Sequence, residues 1–203
     1  MTSDQTVFVV DDDEAALESV AALVKSMKVP AQTFRSAEEF LERYDGTTRG
    51  CLVTDVRMGG MNGLELQERL KEAGILLPIV MITAYGQVPL AVNAMKNGAL
   101  MFLEKSCSEH ELWDAISKAL TAERTSWTAV AERRSVDSRL ALLSQDERNV
   151  LDALLEGTPN KVIASRLGIA LRTVEKRRAA VMTKMSVDSL AELVKILTRH
   201  ARA

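Results

Sequence analysis

The chain contains few cysteines and lacks any long apolar segment, and each absence restricts what the protein can be. Its 203 residues include two cysteines, Cys51 and Cys107, which fit neither a CxxC nor a CxxH spacing. Structural zinc and a disulfide framework are therefore not expected. No apolar run approaches the roughly 20 residues that span a bilayer, and the first residues lack the basic and apolar regions of a signal peptide. These features predict a cytoplasmic protein without a membrane segment.

Charge is unevenly distributed between the two ends of the chain. Residues 1–120 contain 11 Lys and Arg against 18 Asp and Glu, which gives −7, whereas residues 121–203 contain 15 against 10, which gives +5. The length and a hydrophobic content of 47% allow one medium domain and one small domain. Because a net-basic segment suits a polyanion, we expect that only the second part contacts nucleic acid.

Four apolar runs in the first 120 residues each lead into side chains that can take part in phosphate chemistry. Continuous apolar runs are typical of parallel strands that are covered on both faces. In an open α/β sheet the binding crevice lies at the carboxyl ends of such strands. The sequence therefore predicts one site at this edge, formed by Asp11, Asp12, Asp55, Thr83 and Lys105.

Asp55 is the candidate nucleophile of this site. Three crowded carboxylates repel one another, so that one takes up a proton or a hard cation lies among them. Carboxylate oxygens favour Mg²⁺, with Mn²⁺ as an alternative. Lys105 supplies a compact ammonium for a phosphoryl oxygen, and Thr83 can donate its hydroxyl to the same group. A carboxylate in this setting can become an aspartyl-phosphate.

Each of these residues also has an ordinary structural explanation. Acids after strands are common as turn or N-cap residues, Lys105 can be a solvated surface lysine, and Thr83 can be a β-forming residue. The run of acids at 11–13 also matches, superficially, the Asp-x-Asp of haloacid-dehalogenase-like phosphohydrolases. That alternative leaves Asp55 and the basic segment without roles. The ordered series of strand ends is harder to obtain by accident than any of its members.

Strands and helices alternate through the first part of the chain. Asn62 and Ser108 are predicted N-caps of two of the helices. Five βα units of this length fit an α/β flavodoxin-like fold with a parallel five-stranded sheet of order 2-1-3-4-5. On the helix predicted from Gln87 to Asn97, the periodicity indicates an inward face made of Val88, Ala91, Val92 and Met95.

Residues 121–143 contain neither Gly nor Pro, which is not typical of a flexible linker. Trp127 and Val130 continue the apolar stripe of the preceding helix, so we expect that helix to continue into a helical linker. The chain is thus divided into a first domain at 1–120, a linker at 121–143 and a second domain at 144–203.

The second domain has the pattern of a small all-α unit of four helices that contains a helix-turn-helix. Ser144 is predicted to begin its first helix with a capping box, and Ser189 to cap its fourth. The third helix follows a tight turn and carries the basic run 176–178. Such runs are more often a solvated face, but a helix in this position of a net-basic domain favours DNA binding. Its inward residues are predicted to be Val174, Val181 and Met185.

The strand-end series resembles the receiver domain of two-component response regulators, over about Thr6 to Leu120. The resemblance implies that Asp55 is the phosphoacceptor and that Thr83 and Lys105 bind the phosphoryl oxygens. Such a protein phosphorylates and slowly dephosphorylates itself but is otherwise not an enzyme. The implied ligands of Mg²⁺ are Asp11, Asp12, Asp55 and the backbone carbonyl of Arg57, and the implied switch residues are Thr83 and Phe102.

Two residues depart from the receiver pattern. Gly59 and Ser106 stand where the family usually has a proline, and the second of those prolines is cis. A non-proline cis bond costs about 2.5–4 kcal/mol, so we expect a trans Lys105–Ser106 bond, a less fixed loop and a lysine that reaches Asp55 less well. These departures leave open an alternative function, that of a DNA-binding regulator whose degenerate receiver acts independently of phosphorylation.

The last segment, from about Leu143 to Arg199, is similar to the DNA-binding domain of LuxR-type regulators, and the whole chain looks most like the FixJ-type subgroup. The similarity is carried by Leu143-Ser144, Asn160-Lys161 and the run from Arg172 to Glu175. The two resemblances together imply double-stranded DNA, RNA polymerase and a sensor histidine kinase as partners. Because His110 and His200 are the only histidines, a built-in phosphohistidine is not expected. The residues predicted to contact DNA are Lys161, Arg172, Thr173, Glu175, Lys176, Arg178, Ala179 and Lys184.

Leu90 and Ala94 lie four residues apart and off the predicted inward stripe of their helix. They can be stray exposed apolar residues, which are ordinary. The resemblance to receivers implies instead a homodimer face on this helix and the following strand, and the sequence does not choose between the two.

Overall fold

A computed structural model describes residues 4–84 and 86–202 of the chain. The chain divides into two compact units, and the boundary between them along the chain falls between Ser126 and Trp127. Among the described residues, no helix combines the length and the apolar character needed to cross a membrane.

The first unit contains a parallel five-stranded sheet of order β2-β1-β3-β4-β5, as predicted. The register pairs Val10 with Thr54 and Thr83 with Glu104, so that the strands finish at one edge. The strands are β1 Thr6–Val10, β2 Ala31–Phe34, β3 Gly50–Asp55, β4 Ile79–Thr83 and β5 Met101–Glu104. The helices are α1 Glu14–Ser26, α2 Ala37–Arg43, α3 Gly63–Glu72, α4 Val88–Lys96 and α5 Glu109–Ala141.

The three central strands, β1, β3 and β4, are buried on both faces because helices cover both sides of the sheet. Phe8 and Val10 of β1 belong to one apolar cluster, and Val7 and Val9 belong to the other. Alternate side chains of a strand point to opposite faces, so a continuous apolar run fills two cores at once. This double burial explains why the strands read as uninterrupted apolar segments.

Local signals fix where the helices begin. Asn62 accepts hydrogen bonds from the N–H groups of Leu64 and Glu65, and the Glu65 side chain accepts one from Asn62 N–H, which completes a capping box. Ser108 and Glu111 make the same reciprocal pair at the start of α5. Both predicted caps are therefore confirmed.

The predicted inward face of α4 is wrong. Val88, Val92 and Met95 are 76%, 45% and 48% exposed, whereas Ala94 is fully buried and Leu90 packs against a core cluster. Ala94 is therefore a core-facing residue, and Leu90 is half-buried against the same core. Two overlapping stripes have the same helical period, so the pattern alone could not choose between them.

One polar contact fixes this orientation of α4. The buried Gln67 side chain of α3 donates a hydrogen bond from Nε2 to the Ala94 carbonyl, at 3.2 Å. A buried amide without a partner is costly, so this contact favours the face of α4 that carries Ala94. The larger Val and Met side chains consequently point to solvent.

The second unit contains α6 Gln145–Leu155, α7 Asn160–Leu167, α8 Leu171–Met185 and α9 Leu190–Arg202. The capping box of Ser144 and Glu147 is present, and Ser189 Oγ accepts the N–H of Glu192 at the start of α9. Gly168 ends α7 in the left-handed conformation, at φ +65°. The helix starts at Ser144 and Ser189 follow the sequence prediction.

Helix α5 is continuous over 33 residues, as its lack of Gly and Pro suggested. Its last turns contribute Val136 and Leu140 to the apolar cluster of the second unit. The packing of this unit thus begins upstream of Ser144, within the segment that the sequence identified as a linker. Val174, Val181 and Met185 of α8 are buried, as predicted.

Candidate functional site

The ends of β1 and β3 bring three carboxylates together. Oxygen atoms of Asp11, Asp12 and Asp55 all lie within 4.8 Å of one another. Asp11 is fully buried, Asp55 is 5% exposed and Asp12 is exposed. The parallel register places these residues side by side because Asp11 and Asp12 follow β1 and Asp55 ends the neighbouring strand β3.

Lys105 bridges two of these acids. Its Nζ lies 2.7 Å from Asp11 Oδ2 and 2.7 Å from Asp55 Oδ2. The backbone positions this side chain, since Lys105 N–H donates to the Thr83 carbonyl at 2.7 Å and thereby extends the β4–β5 ladder by one residue. Thr83 itself is fully buried at the end of β4. The strand ends thus bring Asp55, Asp11, Thr83 and Lys105 to one edge.

The expectation that Lys105 would reach Asp55 poorly is wrong. The peptide bonds of the described residues are all trans, so the predicted trans bond between Lys105 and Ser106 is confirmed, yet the ammonium is in ion-pair contact. The hydrogen bond of Lys105 to Thr83 fixes the start of the loop independently of residue 106. A flexible four-carbon side chain then spans the remaining distance.

The electrostatics of the cluster favour a further cation. Burial raises the pKa of Asp11, although Lys105 opposes this effect. Burial lowers the pKa of Lys105, but the hydrogen bonds and charges of Asp11 and Asp55 outweigh it, so the pKa is raised overall. Asp11 Oδ2 is buried and lies 2.7 Å from the Lys105 ammonium, whose single charge does not balance three carboxylates. An all-oxygen donor set of this charge fits Mg²⁺ or Mn²⁺.

Backbone amides hold each of these carboxylates, which the sequence analysis did not foresee. Asp11 Oδ1 accepts from Asp13 N–H at 3.0 Å, and Asp55 Oδ1 accepts from Arg57 N–H at 3.1 Å. Asp12 Oδ2 accepts from Gly59 N–H at 2.9 Å. Charge-assisted bonds of this kind stabilise ionised carboxylates and restrict their orientation. Arg57, the predicted carbonyl ligand, therefore lies beside Asp55.

Phe102 lies outside the carboxylate cluster. It is half-buried in β5 and packs against the apolar cluster that includes Met81 of β4 and Ala94 of α4. Its register partner on β4 is Met81, two residues before Thr83. The structure therefore places the two predicted switch residues on adjacent strands.

The predicted DNA-contacting residues lie on or beside α8. Lys176 and Ala179 are exposed on one surface of this helix. Arg178 donates from Nη1 to Asn160 Oδ1 at 3.2 Å, which joins α8 to the start of α7. The remaining exposed or half-exposed members of the predicted set are Lys161, Arg172, Thr173 and Glu175.

Lys184 differs from the other predicted DNA contacts. Its Nζ lies 2.6 Å from Glu147 Oε2 and 3.1 Å from the Leu142 carbonyl. The ammonium therefore joins α8 to the start of α6. The sequence offered no signal for this pairing, because the two partners are 37 residues apart.

Neither α7 nor α8 has a side-chain N-cap. Pro159 and Ala170 occupy the cap positions, whereas α6 begins with the capping box of Ser144 and Glu147. Uncapped N–H groups at a helix start can bind phosphate oxygens. The sequence signal for these uncapped helix starts is that residues 159 and 170 are not Ser, Thr, Asp or Asn.

Comparisons with known proteins cover both units. Residues 7–117 match the response regulator receiver domain, and residues 141–197 match the bacterial regulatory proteins of the luxR family. The chain is 40% identical to the transcriptional regulatory protein FixJ of Bradyrhizobium diazoefficiens, over 98% of this chain and 97% of the relative. It is 45% identical to FixJ of Azorhizobium caulinodans, over 94% of this chain and 90% of the relative.

Solved structures agree with these matches. The response regulator StyR has a TM-score of 0.90 at 41% identity, with 97% of this chain and all of that chain covered. Full-length FixJ from B. japonicum has a TM-score of 0.62 at 39% identity, with both chains fully covered. These likenesses span the strand-end cluster and the helix-turn-helix together. The chain therefore belongs to the FixJ-type response regulators, with a flavodoxin-like receiver domain followed by a LuxR-type DNA-binding domain.

Proposed function

We propose that this regulator is controlled by phosphorylation of Asp55, with a sensor histidine kinase as the phosphoryl donor. The observation that carries the proposal is the double ion pair of Lys105, whose Nζ lies 2.7 Å from both Asp11 and Asp55. An ammonium beside the acceptor carboxylate can bind an oxygen of the incoming phosphoryl group. A purely structural surface lysine would not be drawn into an acidic cluster at the edge of the sheet.

The transfer step follows from these positions. An oxygen of Asp55 attacks the phosphorus atom of a phosphohistidine, and an O–P bond forms while the N–P bond breaks. The imidazole leaves with the electron pair and takes up a proton from solvent. Lys105 and the hydroxyl of Thr83 then bind phosphoryl oxygens. Later, water attacks the phosphorus atom, the bond between Asp55 oxygen and phosphorus breaks, and inorganic phosphate leaves, which returns Asp55 to its carboxylate form. The protein thus modifies itself and turns over no separate substrate.

Mg²⁺, or Mn²⁺ in its place, would be held by Asp11, Asp12, Asp55 and the backbone carbonyl of Arg57. When bound, the cation offsets repulsion between the carboxylates and the phosphoryl group. The clustering of the three acids supports this assignment, because one oxygen atom from each lies within 4.8 Å of the others.

Phosphorylation would promote homodimer formation through α4 and β5. Val88, Val92 and Met95 support this assignment, since they form an exposed apolar group on one helix. Leu90, which is half-buried, can contribute to the edge of this face, whereas Ala94 is fully buried. A new phosphoryl oxygen near Thr83 would act through the β4–β5 pair, on which Phe102 also lies.

The output is control of transcription through DNA bound by α8, with RNA polymerase as a further partner. Lys176 and Ala179, with Glu175, are proposed to meet base edges in the major groove. Lys161, Arg172, Thr173 and Arg178 are proposed to contact backbone phosphates, helped by the uncapped starts of α7 and α8. Two such domains would pair through α9 and bind an inverted repeat with half-sites about one helical turn apart.

One experiment tests the central step. The protein is incubated with acetyl phosphate, with and without Mg²⁺, and its mass and DNA affinity are measured together. We expect a gain of roughly 80 Da, the mass of one phosphoryl group, that requires Mg²⁺ and raises DNA affinity. Asp55→Asn should show neither change.

The two alternatives predict other outcomes. DNA affinity that is equally high in the untreated protein and in Asp55→Asn would favour the phosphorylation-independent regulator. Mass labelling that persists in Asp55→Asn would move the phosphoryl site elsewhere. Release of phosphate from aryl phosphates that survives Asp55→Asn but is lost in Asp11→Asn would favour a phosphohydrolase.

A further inference from the structure

Gly59 provides a main-chain contact that the usual proline of receiver domains cannot provide. Its N–H donates to Asp12 Oδ2 across 2.9 Å, which joins the β3–α3 loop to the carboxylate cluster. A proline at this position has no N–H, and its ring would occupy the space of the amide hydrogen. The contact therefore depends on the residue type at position 59.

The loop that carries this amide is fixed at a second point. Met61 N–H donates to Glu38 Oε1 at 2.8 Å, and this hydrogen bond is the main cause of the lowered pKa of Glu38. Gly60, between the two contacts, has a φ of +86°, which favours glycine. Because the loop is held by carboxylates on both sides, the Gly59 amide keeps its direction toward Asp12.

Asp12 is the member of the carboxylate cluster that most needs such a contact. Asp11 and Asp55 are buried, whereas Asp12 is exposed and its side chain is not restricted by packing. The hydrogen bond from the Gly59 N–H selects an orientation in which an Asp12 oxygen lies within 4.8 Å of oxygens of the other two acids. An ionised carboxylate has about four lone-pair sites, so Asp12 can accept this bond and still bind a cation.

We propose that the Gly59 main-chain N–H is a positioning group for the divalent cation, which it serves by orienting Asp12. The inference rests on the proposed function, since it takes the carboxylate cluster as the cation site. Hydrogen bonds to ligand side chains typically change metal affinity by about 10- to 100-fold. Gly59 thereby compensates for the absence of a rigid proline in the loop.

Two substitutions at position 59 distinguish the effect of losing the main-chain N–H from the effect of adding a side chain. Gly59→Ala keeps the N–H, and its Cβ would meet only Asp12 Oδ2, at an ordinary 3.8 Å. Gly59→Pro removes the N–H. Mn²⁺ binding to the full chain is measured from the free Mn²⁺ signal in electron paramagnetic resonance, and thermal unfolding verifies that both variants are folded.

The expected result is a dissociation constant for Mn²⁺ that is at least about tenfold higher in Gly59→Pro than in Gly59→Ala, with the alanine variant close to wild type. A ratio below about threefold, or tighter binding by the proline variant, overturns the inference and leaves the proposed function intact. Wild-type protein that binds no Mn²⁺ at millimolar concentration would instead refute the metal-dependent function itself.

A second measurement decides the matter if Gly59→Pro does not fold. In protein labelled with ¹⁵N-glycine, the signal that disappears in Gly59→Ala identifies the Gly59 amide. We expect this amide to be protected from hydrogen exchange in wild type and to lose its protection in Asp12→Ala. Fast exchange in wild type, or equal protection in Asp12→Ala, would overturn the inference.

Discussion

Arg49 and Glu123 form a two-pronged ion pair, with Arg49 Nε 2.9 Å from Glu123 Oε1 and Arg49 Nη2 3.0 Å from Glu123 Oε2. Glu123 is only 6% exposed. Gln5 Nε2 donates to the same carboxylate at 2.5 Å and to the Leu120 carbonyl at 2.7 Å. This network ties α5 to the sheet beyond the point at which the sequence placed the start of a linker.

Glu123→Ala is expected to lower the free energy of unfolding of the receiver unit by about 1–3 kcal/mol, because it leaves a partly buried guanidinium without its main partner. Urea unfolding, followed by circular dichroism, measures the change. Glu132→Ala is the matched control, since Glu132 is an exposed acid of the same helix. Equal midpoints for the two variants would show that the Arg49 pair contributes nothing to stability.

Asp11→Asn should stabilise the metal-free protein at neutral pH while removing its response to Mg²⁺. The pKa of Asp11 is raised from its ordinary value of 3.8 by burial, so the folded protein holds this proton more tightly than the unfolded chain does. Stability therefore falls as the pH rises from 3.8 through the raised pKa, and ionised Asp11 is a cost above that window. The gain in the asparagine variant should disappear when the pH is lowered below 3.8.

Unfolding free energies measured between pH 3.5 and 7.5, without and with Mg²⁺, would check this prediction. Asp13→Asn is the control, because Asp13 is exposed and asparagine is an equally good N-cap. A loss of stability in Asp11→Asn at pH 7 without metal would mean that the ion pair with Lys105 outweighs the cost of burial.

Substitutions on the two faces of α4 should affect different properties: the buried face should determine stability, and the exposed face dimerisation. Ala94→Leu would overpack a fully buried position and is expected to cost about 1–3 kcal/mol of unfolding free energy. Val92→Ser alters an exposed side chain and should change stability by less than about 0.5 kcal/mol. It should nevertheless weaken dimerisation after phosphorylation, as measured by sedimentation velocity. Unchanged dimerisation in Val92→Ser would exclude this part of α4 from the dimer face.

Substitutions of a base-contacting residue and of a phosphate-contacting residue on α8 should affect DNA affinity and specificity differently. Lys176→Ala is expected to cost about 1–3 kcal/mol on the preferred site and to relax discrimination there. Arg178→Ala should weaken binding to all sequences alike and lower the salt slope by about one. Fluorescence anisotropy with specific and random duplexes at several salt concentrations measures both effects. Proportional losses on both duplexes for both variants would contradict this division.

Lys184→Ala should affect folding more than DNA binding, because the ammonium is paired with Glu147 and the Leu142 carbonyl. We expect a small loss of unfolding free energy, because solvent screens a surface ion pair. Thermal unfolding of Lys184→Ala and of Glu147→Gln provides the test. A large loss of DNA affinity with unchanged stability would return Lys184 to the set of DNA contacts.

Much of the fold follows from local chemistry. The apolar runs that end at Val10, Asp55 and Thr83 predict parallel strands, since only strands covered on both faces lack polar alternation. Caps such as Asn62 and Ser144 set helix starts, because their side chains bond amides within the same turn. The order of acid, hydroxyl and amine at the strand ends predicts the cluster, because parallel strands bring their carboxyl ends to one edge of the sheet.

What the sequence did not determine depends on contacts between distant residues. The inward face of α4 was decided by the fit of Ala94 and by the hydrogen bond from Gln67, because two stripes share one helical period. The pairing of Lys184 with Glu147 and the amide of Gly59 on Asp12 likewise required the folded chain. Periodicity and caps act within a few residues, whereas packing and ion pairing select among alternatives that have equal local merit, and only tertiary structure makes that selection.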